Sequence, residues 1–204
     1  MATFTIKPIG IIIPTRWEAV EVLRRFRFKK ITRNLYKADL QGRPALLCLS
    51  GVGREAARKA AGRLVDNGAG ELVSMGFCGA LVPELKVGDL VTHRLVTVDR
   101  PARAPDERRA LTERANAVAV DMETQAIIEE GTRRGVPIHV RRVVSDSFQD
   151  DLTPLFGSQG SFSVWGITWR LLNPRAWTLV RRLWRHSALA AAKLAETLGR
   201  YPQV

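Results

Sequence analysis

Two linked phrases decide the reading of this chain: Ala117-Val-Ala-Val-Asp121-Met-Glu123-Thr-Gln-Ala-Ile127, and downstream Val140-Arg-Arg-Val-Val-Ser145-Asp146-Ser-Phe148. The first reads as a short strand over 117–120 that passes into a helix over 122–134, stopped by Gly135-Val-Pro137. The second reads as a strand over 138–144 that carries Ser145 and Asp146 to its end. Open α/β sheets bind ligands beyond the carboxyl ends of their strands. Glu123 and Asp146, at two strand ends, are therefore expected to face one crevice.

Outward from these phrases the pattern alternates strand and helix. Residues 9–13 read as a buried strand. Residues 16–27 read as a helix with Trp17, Val20, Leu23 and Phe26 along one side. Strands over 35–40 and 44–50 pair across Gln41-Gly42-Arg43. A helix over 54–67 is stopped at Gly68 and Gly70, and a strand over 71–75 follows. Residues 90–98 read as one strand, 104–114 as helix, 150–163 as loop and 174–199 as mostly helix. Strands separated by helices predict a mostly parallel sheet with helices on both faces. No repeat, linker or second domain is visible, so residues 1–204 read as one domain.

The composition, 46% apolar and 25% charged, is that of a globular chain, and no apolar run reaches the length of a membrane span. The N-terminal block through Pro14 reads as a first strand, not a signal peptide. Cys48 and Cys78 lie in apolar runs and read as buried free thiols, which favours a reducing cytoplasm. His93, His139 and His186 have no ligand spacing, so no metal site is expected. The net charge of +12 raises the question of nucleic acid. Half of it is C-terminal: from Ser161 onward seven basic residues stand against Glu196, giving +6. No nucleic-acid motif accompanies it, and a basic solvated surface is the preferred reading.

Gly51-Val-Gly53-Arg-Glu-Ala56 formally fits the dinucleotide pattern G-x-G-x-x-[GA]. It does not follow the first strand, and the next strand does not end on an acid, so that reading is weak. Two readings stay open: a glycine turn whose N–H groups face an anion or a ligand hydroxyl, and a plain tight turn. Gly76-Phe-Cys78-Gly79 reads as a second turn where glycine permits close approach. Taken singly, Glu123 is a first-turn acid, Asp146 a cap and Glu18 a surface glutamate. Taken together, with Ser145 beside Asp146, the two carboxyl groups of Glu123 and Asp146 are the usual equipment for cleaving a glycosidic bond; Glu18 stays a surface glutamate by pattern.

Four motifs in order carry a resemblance: Ser50-Gly51-Val-Gly53-Arg-Glu; Gly76-Phe-Cys78-Gly79-Ala-Leu with Leu85-Lys-Val-Gly88-Asp89; Val120-Asp-Met122-Glu123; and Val144-Ser145-Asp146. From Ile9 to Asp146 the chain resembles the purine nucleoside phosphorylase and uridine phosphorylase family. Within it the nearest likeness is to the nucleosidase branch: methylthioadenosine/adenosylhomocysteine nucleosidases, futalosine hydrolases and hopanoid-associated phosphorylases. The resemblance implies a three-layer α/β/α domain around a twisted, partly barrel-like mixed sheet.

It also implies an activity, the cleavage of the N-glycosidic bond of a purine nucleoside or 5′-substituted adenosine. Glu123 matches the acid that binds the ribose hydroxyls, with Met122 against the sugar. Asp146, beside Ser145, matches the acid that gives a proton to purine N7. Glu18 falls where nucleosidases hold the attacking water, so hydrolysis is the favoured reading. Gly51, Gly53, Cys78 and Gly79 complete the expected substrate contacts. Phosphorylases of the family instead gather basic groups around phosphate as co-substrate, and Arg16 and Arg54 are the candidates here. No cofactor is implied, and a dimer is expected from the nucleosidase resemblance. A nucleoside-binding member without turnover is the reading from a different class.

Two departures stand out. The family usually carries several tens more residues, including base contacts, where Val96 here runs directly into Thr97; the base pocket is then open, completed by another subunit, or lost. Beyond residue 160 the tail diverges, with Trp165, Trp169, Trp177 and Trp184 among arginines. Trp177, Val180 and Trp184 share a helical face, with Arg181, Arg182 and Arg185 to its sides. A closing core helix with a basic solvated side is the favoured reading. A surface that touches membrane or a lipid-bearing substrate, peripheral to the inner membrane, is the sharper one.

Overall fold

The computed structural model describes residues 6–153 and 174–201. Strand β1 (Ile9–Ile13) is buried along its whole length, as its unbroken apolar sequence requires. The period of two then sorts its side chains. Ile9, Ile11 and Ile13 enter one core, and Ile12 enters the other. On the first face lie α1 (Arg16–Arg25) and α5 (Pro174–Gly199), through Ala19, Val22, Ala190 and Leu194. On the second lie α2 (Arg54–Asp66) and α4 (Thr124–Arg133), through Ala57, Ala61, Leu64 and Ile127. Three layers result, with the sheet in the middle.

The other strands are β2 (Lys29–Lys30), β3 (Leu35–Leu40), β4 (Arg43–Leu49), β5 (Glu71–Ala80), β6 (Leu90–Val91), β7 (Leu95–Thr97), β8 (Ala119–Asp121) and β9 (Ile138–Asp146). They run in the order β2-β3-β4-β1-β5-β8-β7, and β9 pairs with both β5 and β6. Strand β5 is the hinge of this arrangement. Its first residues pair with β1 and its last two with β8, while β9 runs beside it along nearly its whole length.

The sheet is mixed, not mostly parallel. β1 pairs parallel with β4 and β5, β5 with β9, and β7 with β8. The β2–β3, β3–β4, β5–β8 and β6–β9 pairs are antiparallel. The β3–β4 hairpin turns on Gln41 (φ 57°) and Gly42 (φ 90°), the left-handed pair that a two-residue turn demands.

Three further expectations are corrected. Residues 90–98 form two strands, because Arg94 (φ 53°) breaks the run; β6 then pairs with β9, and β7 with β8. Gly76–Gly79 is not a turn, because β5 runs through it to Ala80, with a register shift between Cys78 and Gly79. Helix α1 buries Glu18, Ala19 and Val22, while Trp17 and Val20 are about half exposed. The three-residue spacing marked the rim of its buried face, not the centre.

In α5 the core face is Leu179, Ala190, Ala191, Leu194, Ala195 and Leu198. Trp184 is 59% exposed and stacks obliquely on Trp17, with ring centroids 6.4 Å apart. Helix α5 does close a core, but with its alanines and leucines and not with this tryptophan. Trp165, Trp169 and the side chain of Trp177 lie outside the described residues. Among the described residues no helix is long and apolar enough to cross a membrane.

Helix α3 (Pro105–Ala115) comes between β7 and β8, with proline in its first turn. Its sequence, Pro-Asp-Glu-Arg-Arg-Ala-Leu-Thr-Glu-Arg-Ala, reads as a polar surface helix. Yet Leu111 packs on a small cluster with Leu81, Ala102, Ala117 and Val120, and Arg108 is fully buried.

Candidate active site

Strands β1, β4, β5 and β9 run in one direction, so their carboxyl ends meet on one side of the sheet. Strand β8 runs the other way beside β5, but along β5 it pairs only with Gly79 and Ala80 at the far end. Its last residues therefore come back over the same crevice. Glu123 arrives there by a reversed strand, not by the parallel one expected.

A cavity of about 470 Å³ fills this crevice. Such a volume is ordinary for a small-molecule site. Glu18, Cys78, Gly79, Met122, Glu123, Ser145 and Asp146 all line it. The short run after β7 adds Val98, Pro101 and Ala102 to its wall, and Leu152 closes beside them. The middle of the chain thus supplies an apolar side to the crevice.

Glu18 is set by a capping sequence, Thr15-Arg-Trp-Glu18. Thr15 caps α1, accepting from the Glu18 N–H at 3.3 Å and donating its hydroxyl to Glu18 Oε1 at 2.7 Å. Glu18 Oε2 accepts the Phe77 N–H at 2.8 Å. The glutamate is thus pinned between the first helix and β5. Burial raises its pKa; the Phe77 and Thr15 hydrogen bonds and the Arg142 charge oppose this, and Glu123 adds to it.

Glu123 stands just ahead of α4 and is 4% exposed. Its Oε1 accepts the Gly53 N–H at 2.8 Å. The anion that the Gly53 N–H faces is thus a carboxylate of the chain itself. Gly53 needs its φ of 98° to present that N–H, while neither Gly51 nor Gly53 lines the cavity. Burial raises the Glu123 pKa too, with Arg142 and the Gly53 hydrogen bond pulling against it.

Asp146 accepts from the Ser145 hydroxyl at 2.8 Å on Oδ1 and from Arg108 Nη2 at 2.5 Å on Oδ2. Arg108 escaped the sequence reading because nothing in α3 distinguishes it from its arginine neighbours. Arg142 escaped it too. From β9 it reaches Asp121 at 2.9 Å, Ser74 at 3.1 Å, Thr124 at 3.0 Å and Glu123 at 3.5 Å. A signal existed there: the adjacent Arg141 and Arg142 of a strand point to opposite faces, so in a sheet covered on both faces one of them must find a buried partner.

The glycines of β5 make this crowding possible. A Cβ on Gly76 would lie 2.6 Å from Arg142 Nη1 and 2.7 Å from Glu18 Oε2. One on Gly79 would lie 2.8 Å from Asp146 Oδ2 and 3.2 Å from Arg108 Nη1. The close approach foreseen for a ligand or a helix is made here by the site's own charged side chains.

The two phosphate candidates do not reach the cavity. Arg16 is exposed on α1. Arg54 is held by Asp99 at 2.9 Å and by the Thr97 carbonyl at 2.6 Å, facing a separate groove. Among the described residues no arginine or lysine lines the cavity. Among them, too, no group of three or more His, Cys, Asp or Glu could hold a metal ion.

Set against known proteins, residues 8–94 match the family model described as the phosphorylase superfamily. That match ends before Val96, so it includes Glu18 but neither Glu123 nor Asp146. No curated protein matches the chain. Among solved structures, it is similar to the S-adenosylhomocysteine nucleosidase of Streptococcus pyogenes in complex with 5-methylthiotubericidin (17% identity, 99% of this chain and 100% of that one, TM-score 0.73). It is similar as well to the 5′-methylthioadenosine/S-adenosylhomocysteine nucleosidase of Neisseria meningitidis (20%, 93% and 97%, 0.70) and to the futalosine hydrolase of Helicobacter pylori (16%, 95% and 97%, 0.70). The chain therefore resembles the phosphorylase superfamily in sequence over residues 8–94, and its fold is the nucleoside phosphorylase-like fold of those nucleosidases.

Proposed function

We propose that this protein cleaves the N-glycosidic bond of a purine nucleoside or 5′-substituted adenosine, with water as the acceptor. One observation carries the reading: Glu18, Glu123 and Asp146 converge on one cavity that, among the described residues, no cation lines. Phosphorolysis would need a cationic cradle there.

The chemistry follows from the charges the reaction develops. As the C1′–N9 bond breaks, its electron pair leaves with the base and the ribosyl ring turns cationic. Asp146 gives a proton to N7 of the departing base. Glu123 holds the ribose hydroxyls, and its carboxylate is most useful when the ring is most positive. Water attacks C1′ and loses its proton to Glu18. Burial makes Glu18 a stronger base than an exposed glutamate, which suits that step. Trp17 and Val52 on the cavity wall, with Trp184 beside Trp17, favour an apolar 5′ substituent.

Chromatography of adenosine, inosine and methylthioadenosine reactions, with and without phosphate, tests this. Free base is expected without phosphate, fastest from methylthioadenosine. Release that requires phosphate would replace water with phosphate as acceptor. A ligand-induced rise in melting temperature with no base released would make the protein a binder.

Glu18→Gln carries a second expectation, on stability. A raised folded-state pKa means that the stability Glu18 contributes is complete below its unfolded value near 4.5 and is lost as pH rises through the folded value. Glutamine imitates the protonated side chain at every pH. The variant should therefore lose hydrolysis yet melt a few degrees higher than the wild type at pH 7.5, with no gain at pH 4. Thermal melts at both values check this. A lower melting temperature at pH 7.5 would mean that Arg142 more than offsets the burial cost.

A further inference from the structure

Arg108 has no assigned part in the reaction, yet its placement is costly. Its side chain is fully buried, and an effective penalty of several kcal/mol attends each buried ion. Its Nε finds no hydrogen-bond partner. A methionine would fill the space without either cost. What the guanidinium does make is specific. Nη1 donates to the Ala80 carbonyl at the end of β5 at 2.9 Å, and Nη2 holds Asp146 Oδ2 at 2.5 Å. Gly79, without a side chain, leaves the passage between them open.

Helix α3 is itself fixed at both ends of this contact. Thr112 Oγ1 donates to the Leu81 carbonyl at 2.9 Å. The Leu152 N–H donates to the Arg103 carbonyl at 2.7 Å, tying the segment after Asp146 to the segment before α3. Arg108 thus bridges a rigid strand end and the side chain facing the base. Ser145 holds the other carboxylate oxygen. With both oxygens held, Asp146 has one orientation.

We propose that Arg108 is the positioning residue of Asp146: it fixes the carboxyl group where the leaving base needs its proton and touches no substrate itself. This rests on the N-glycosidic reading above. A small displacement of a reacting group far exceeds its apparent size in rate, up to about 10²-fold for 1 Å. Arg108→Met should therefore lower kcat by about tenfold or more, with KM changed little. Arg108→Lys keeps the charge and should restore part of the loss.

The decisive comparison uses a nucleoside the wild type cleaves and its N7-methylated form, whose base leaves without a proton from Asp146. Arg108→Met should slow the first and leave the second within about twofold of wild type. The Asp146→Asn background gives the same test: Arg108→Met should add almost nothing there, because groups that act as a unit are not additive. Equal loss on both substrates, or an equal added loss in the Asp146→Asn background, would show a merely structural arginine and overturn the proposal. No loss at all would overturn it as well. A wild type that releases base from neither nucleoside would instead sink the N-glycosidic reading beneath it.

Discussion

Asp146→Asn is expected to lower base release by about 10²–10⁴-fold, the usual worth of a positioned general acid. The argument is geometric. Asp146 lines the cavity at the end of β9, with Ser145 on one oxygen and Arg108 on the other. Asparagine has nearly the same shape. Its carbonyl can still accept from Arg108, so the variant should fold and melt cooperatively, at a lower temperature than the wild type. What it lacks is a proton to give. The loss should fall on kcat, since the proton moves only as the bond breaks. An N7-methylated nucleoside should be spared most of it. Unchanged kcat on the unmethylated nucleoside would remove Asp146 from the mechanism.

The legible part of this site was the part written as local sequence. Glu123 and Asp146 announced themselves because each follows a short apolar run, and a strand end is where an α/β sheet presents its chemistry. Both side chains do line one cavity, even though β8 runs against β5. The buried first strand was equally open to reading, because an unbroken apolar run needs no knowledge of partners. Glu18 was a surface acid by pattern, and only the resemblance to a family placed it in the site. What could not be read was long-range. Gly53 looked like a turn for a ligand because the carboxylate it serves lies 70 residues away. Gly76 and Gly79 looked like a turn because the side chains they make room for come from α1, α3 and β9. Arg108 sits in a mostly polar helix among other arginines, and its burial depends on how α3 settles against the end of β5. In α1 the tryptophan drew attention to the wrong stripe: Ala19 and Val22 face the core, and Trp17 is left at the cavity mouth.

Arg142→Met should be the most damaging single change to stability, because it leaves acids stranded. Arg142 and Asp121 are both fully buried and 2.9 Å apart, and Glu123 is held 3.5 Å from the same guanidinium. Removing one member of a buried pair costs about 3–5 kcal/mol, chiefly from the charge left behind. In a domain of this size each kcal/mol moves the melting temperature by about 2–4 °C. A fall of roughly 6–20 °C is therefore expected. If the stranded charge is the cause, removing it should help. Asp121 Oδ2 accepts the Thr124 N–H at 2.9 Å and Oδ1 meets the Thr97 hydroxyl at 2.6 Å. An asparagine at that position keeps an acceptor for the first and can donate to the second. Arg142→Met combined with Asp121→Asn should thus be more stable than Arg142→Met alone, although two polar residues have been replaced. Activity should not return with it. Burial already raises the pKa values of Glu18 and Glu123, and Arg142 opposes the rise in both. Without that cation both acids keep their protons to higher pH, so the acid limb of kcat/KM should move upward in the single and the double variant alike. Urea melts and a pH profile separate the two effects. A double variant less stable than the single one would show that packing around Arg142, and not its charge, is what the fold requires.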